Sequence, residues 1–71
     1  MEKINTQFGR RVRQLREAKG ISQEELAYLA HVHRTYLGGI ERGERNPSLK
    51  NIASRAKALD ISLTKLFEFK R

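Results

Sequence analysis

Residues 22–43, SQEELAYLAHVHRTYLGGIERG, decide the fold of this chain, because they read as a short helix, a three-residue turn and a second helix. Ser22 and Glu25 form a capping box. The hydroxyl is placed to accept the backbone N–H three residues on, the carboxylate to return the bond, and Glu24 adds negative charge at the positive end of the helix. Leu26, Ala27 and Ala30 then face inward, the alanines being small enough for another helix to come close. His31-Val32 interrupts the pattern, which resumes near His33 and runs to Glu41 or Arg42 before Gly43 closes it.

At about 100° per residue, the second of these helices puts Leu37 and Ile40 on an inner side and Arg34, Thr35, Gly38, Gly39 and Arg42 on an outer one. Two consecutive glycines each cost a helix about 1 kcal/mol against alanine. Either another surface comes close at Gly38-Gly39, or the glycines loosen a marginal helix end. Arg34 suits bidentate contact with guanine O6 and N7, and Thr35 can offer a hydroxyl to a base or phosphate and a methyl to thymine, although both are also ordinary solvent-facing residues. Tyr36 lies at the flank, where it can reach a phosphate, wedge at a flexible base step or pack partly into the core.

Upstream, Ile4, Phe8, Val12 and Leu15 share one face of a helix over Ile4 to Ala18, with Arg10, Arg13 and Glu17 pointing away. Lys19 favours the negative helix end, and Gly20 supplies a left-handed stop. Downstream, Glu44-Arg45-Asn46-Pro47 has turn composition, and Ser48 caps a fourth helix whose buried stripe is Leu49, Ile52, Ala53, Ala56 and Leu59. Asp60-Ile61 breaks that run. Ser62 then caps a last helix from Leu63 to about Phe69, with Leu63, Leu66 and Phe67 on one side. Strand-type alternation is missing, so the expected fold class is all-α: one domain over residues 1–71, a compact bundle of five helices with no internal repeat.

Seventy-one residues leave little stability margin for a single core, which makes an oligomer attractive. Fifteen Lys and Arg against eight Asp and Glu give a net charge of +7, favouring a polyanionic partner. No run approaches the apolar length of a membrane span, and the start of the chain does not read as a signal peptide. The absence of cysteine excludes disulfides and thiolate metal sites. Cytoplasm is the expected compartment. His31 and His33 lack a third ligand at suitable spacing, so no metal and no other cofactor is expected. No nucleophile–base order, carboxylate pair or phosphate-cradling glycine loop is present, which argues against an enzyme and against a small-molecule substrate. Few stacking aromatics are left for RNA.

Gln23-x-x-Leu26-Ala27, Val32, Leu37-x-x-Ile40-Glu41-Arg42-Gly43 and Asn46-Pro47-Ser48-Leu49 together resemble the Cro/C1-type (XRE-like) helix-turn-helix family over nearly the whole chain. The run His33-Arg34-Thr35-Tyr36-Leu37, with Ile40-Glu41-Arg42-Gly43 and Arg45-Asn46, looks most like the controller proteins of restriction–modification systems. The resemblance implies a lambda-repressor-like fold and a homodimer. Each subunit would place residues 33 to 41 in a major groove of a palindromic double-stranded DNA operator. It implies that Gln23 binds a phosphate and buttresses the recognition helix, that Arg34 and Thr35 read bases, and that Tyr36 meets the backbone or a deformed step. Arg45 and Asn46 would hold phosphate or a nearby base, with Arg42 and Lys50 adding attraction. Arg16 and Glu41 match a partly buried ion pair of related phage repressors.

There are departures. His31 stands where glycine is usual and must accept a left-handed backbone, and His33 replaces a better cap, so that it caps poorly or contacts phosphate. Gly38 removes one expected base reader. Two further readings compete. An antitoxin or phage-type repressor would share the fold, but the chain offers no tail after Arg71 to wrap a toxin. A protein-interaction module would use Leu63, Phe67 and Phe69 on a partner. Self-association through those three residues is preferred here, with Leu66 and Phe67 completing the core and Phe69 fraying as the alternative.

Overall fold

A computed structural model describes residues 3–68, and within them the chain is entirely helical. The helices are α1 (Ile4–Lys19), α2 (Gln23–Ala30), α3 (Arg34–Glu41), α4 (Leu49–Leu59) and α5 (Leu63–Leu66). Helix α1 packs mainly on α3, α2 packs on both α3 and α4, and α5 closes the end of the bundle against α1 and α4.

Three of the four connections are built alike. At Gly20-Ile21-Ser22, His31-Val32-His33 and Asp60-Ile61-Ser62 the first residue is left-handed, with φ of 76°, 59° and 58°. The apolar second residue returns its N–H to a carbonyl five residues back: Ile21 to Arg16, Val32 to Ala27, and Ile61 to Ala56. All three apolar residues tuck against the core. This is the hydrogen-bond and hydrophobic pattern of a Schellman stop, and the third residue caps the next helix. Ser22, Ser48 and Ser62 each accept the N–H three residues on. His33 accepts none, so α3 begins without a side-chain cap.

Val12, Leu26, Leu37, Ile40 and Leu66 are fully buried and form the core with Phe8, Ala27, Ala56 and Leu59. Each large aliphatic side chain so enclosed contributes about 2 kcal/mol of transfer free energy. Gly9 is what lets α1 and α3 meet: a Cβ there would fall 2.1 Å from the Ile40 carbonyl oxygen and 2.9 Å from that of Glu41. Polar side chains of α1 also tie down distant backbone. Asn5 donates to the Gly43 carbonyl, Arg11 to that of Lys65, and Lys19 to that of Leu59.

Three expectations need correction. Ile4 lies beyond the core-facing stretch of α1 and is 62% exposed. The interior stripe of α4 is Ile52, Arg55, Ala56 and Leu59, so that Leu49 and Ala53 turn outward and a charged residue turns in. Helix α5 runs only to Leu66, and just past it the Lys65 carbonyl accepts from Arg11 and from the Glu68 N–H in a tight return. Phe69, assigned to that helix from sequence, lies outside the described residues.

Candidate nucleic-acid interface

Helix α3 is fixed by its inner side. Leu37 and Ile40 anchor it in the core, and Glu41 at its last turn is almost wholly enclosed. Arg16 of α1 grips that carboxylate with both arms of its guanidinium, at 2.8 and 3.1 Å, while Gln23 at the start of α2 donates to it at 3.0 Å. Arg16 also donates to the Ile21 carbonyl, and its bond to Glu41 raises its pKa above the ordinary value. One carboxylate therefore joins three helices. Gln23 is half-buried, and its Nε2 bond to Glu41 ties the start of α2 to the end of α3.

Arg34 and Thr35, on the first turn of α3, are exposed. Tyr36 is half-buried: its hydroxyl accepts a hydrogen bond from Asn51 of α4 at 3.1 Å, and its ring lies 5.8 Å from the Arg45 guanidinium and 5.6 Å from that of Arg55. The glycine side of α3 is not open. Gly38 lies beneath the Arg42 guanidinium, which a Cβ would approach to 3.1 Å, and Gly39 lies beneath Arg45, whose Cγ would be 2.8 Å away. The groups that lie over these two glycines are the side chains of the chain's own exposed arginines.

Arg42 also pairs with Glu44 at 3.0 Å on open surface. This contact raises the arginine pKa and holds the Glu44 carboxyl below its ordinary value. Asn46 sits at the far end of the loop, beside a small apolar groove lined by Ile4, Phe8, Pro47, Ile52 and Phe67. Lys50 is exposed on the first turn of α4. The sequence-assigned set thus gathers around α3 and the loop after it, with Asn46 at its margin. His31 and His33 border a shallow surface groove with Tyr28 and Val32, and no group of three metal-ligating residues occurs among the described residues.

Leu63 and Phe67 fall elsewhere, at the first residue of the short last helix and just past its end. They are 46% and 44% exposed, and Phe67 also stacks on Phe8 with ring centroids 5.3 Å apart. Sequence reasoning missed Asn51 and Arg55, which sit behind Tyr36. The spacing of Ile52, Arg55 and Leu59 carried a signal for Arg55, concealed by the assumption that a charged residue faces out.

A basic chain that pins α3 against α1 and α2 from behind and leaves the opening turn of α3 exposed belongs to the helix-turn-helix class of DNA-binding regulators. No described helix is long and apolar enough to cross a membrane. The profile of the helix-turn-helix family matches residues 12–66, and the chain belongs to the Cro/C1-type branch of that family. It is 48% identical over 67 residues to control protein C.BamHI of Bacillus amyloliquefaciens, covering 93% of this chain and 83% of the relative. It is 40% identical over 64 residues to the regulator SinR of Bacillus subtilis, spanning 89% of this chain and 58% of SinR. Among solved structures, the restriction–modification controller protein C.AhdI of Aeromonas hydrophila superposes with a TM-score of 0.86 at 55% identity, over 87% of this chain and 94% of that one. These relatives are control proteins and transcriptional regulators, not enzymes.

Proposed function

We propose that this chain is the controller of a restriction–modification system, acting as a homodimer on a palindromic operator. The carrying observation is the exposed first turn of α3, with Arg34 and Thr35 presented by a helix whose other end is clamped through Glu41. In this reading Arg34 and Thr35 meet base edges, and Tyr36 meets a phosphate or a deformable step. Arg42, Arg45 and Lys50 supply backbone attraction. Gln23 binds a phosphate and braces the reading helix from behind through Glu41. Gly38 contributes no side chain, so fewer bases are read directly.

Dimerisation is assigned to the exposed apolar side chains Leu63 and Phe67, with Ile4 lining the same small groove as Phe67. A two-fold pair would cover these side chains and set two copies of α3 about one helical turn, roughly 34 Å, apart.

The test is selection from a random duplex pool, followed by sedimentation. The expected result is an enriched inverted repeat with half-sites one turn apart, and a dimer at micromolar concentration. A strictly monomeric chain, or enrichment of no motif, would overturn the proposal.

A further inference from the structure

Arg55 is fully buried, at a position of α4 where the stripe Ile52, Ala56 and Leu59 calls for an aliphatic side chain. Its guanidinium makes one hydrogen bond, from Nη1 to the Asn51 carbonyl at 2.8 Å, and its Nε and Nη2 are buried without a partner. Among the described residues no salt bridge reaches it, and burial pushes its pKa below the ordinary value, opposed by Tyr36 and Glu41. Glu41 is already bonded by Arg16 and Gln23. An aliphatic residue of similar volume would serve stability better, so an orphaned charge here calls for another explanation.

What the guanidinium packs against is the ring of Tyr36. Asn51 completes the seat, since its carbonyl accepts from Arg55 while its side chain donates to the Tyr36 hydroxyl. With its oxygen already accepting, that hydroxyl keeps its own proton for an outside acceptor. Arg45 contacts the ring as well.

We propose that Arg55 is a specificity-determining positioning residue, which acts through Tyr36 by holding the aromatic ring and aiming its hydroxyl beside Arg34 and Thr35. The inference rests on the reading that α3 faces DNA. It adds that the recognition surface is set from beneath by a cation at a core position.

The experiment is a double-mutant cycle on the full chain, using the duplex enriched by the wild-type protein and a scrambled duplex. Arg55→Met is expected to reduce the preference for the enriched duplex by about tenfold. In a Tyr36→Ala background the same change should have no further effect. Equal losses in both backgrounds, or no loss in either, would overturn the proposal.

A second readout needs no DNA. The chain has no tryptophan and two tyrosines, so Tyr28→Phe, at a position 80% exposed, leaves Tyr36 as the reporting fluorophore. Arg55→Met should then raise the mobility and quenching of Tyr36 fluorescence, and Arg55→Lys should restore part of the difference. An unchanged signal would count against Arg55 as the seat of the ring. Should Arg55→Met lose its cooperative melt, Arg55→Lys and Asn51→Ala carry both comparisons. A wild-type chain that enriches no duplex would sink the regulator reading instead, and the fluorescence would still decide whether Arg55 holds the ring.

Discussion

Arg34 is exposed on the first turn of α3, unshielded by the loop arginines that cover Gly38 and Gly39. Arg34→Ala is expected to cost about 1–3 kcal/mol on the preferred duplex and to relax selection at one base pair, measured by titration against single-site variants. A uniform loss on every duplex would make it a phosphate anchor. Behind it, Arg16→Ala leaves Glu41 enclosed with only Gln23 as a partner, and should cost about 3–5 kcal/mol in urea unfolding. The Arg42–Glu44 pair has a different fate. The Glu44 carboxyl is held below its usual pKa, so the favourable pairing is complete at neutral pH and fades as pH falls through that lowered value. Both side chains are open to water, so stability should scarcely respond. Glu44→Gln should instead leave the melting temperature unchanged while modestly raising DNA affinity, because it frees Arg42 and removes a negative charge. Polar residues that face solvent, such as Arg34 and Thr35, were legible from helical spacing. The inward position of Arg55 was legible from the same spacing but set aside because of its charge, and its contact with Tyr36 across α4 and α3 is encoded by no local pattern.

At the scale of elements, stop and start signals made the helices readable. Gly20, the Ser22–Glu25 pair, Gly43, Ser48 and Ser62 mark boundaries by local backbone chemistry that does not depend on the rest of the fold. Burial was less readable. Leu49 and Ile4 fit helical stripes but lie past the edge of the packed interior, whose extent is set by how the helices dock. The shared left-handed stops lead to a prediction. His31→Gly and Asp60→Gly should each raise stability by up to about 1 kcal/mol, by relieving a side chain held at positive φ. Gly9→Ala should do the reverse. Its Cβ would strike backbone rather than a flexible side chain, and a loss of about 3 kcal/mol or failure to fold is expected by circular dichroism.

The whole molecule combines a net charge of +7 with exposed apolar side chains near its closing helix. Leu63→Asp should leave the helical fold intact and yield a monomer in sedimentation, with operator affinity falling in step. Binding should weaken steeply as salt rises, in proportion to the phosphates neutralised, and a flat response would mean that the partner is not a nucleic acid. The Arg16–Glu41–Gln23 clamp extends this argument to the duplex. A reading helix riveted at its base to two neighbours has little freedom to swivel toward an imperfect groove, so the adaptation passes to the more pliable party. Bending and groove width at steps that no side chain touches would then contribute to selection, and flexible pyrimidine–purine steps between the half-sites should be favoured over stiff ones.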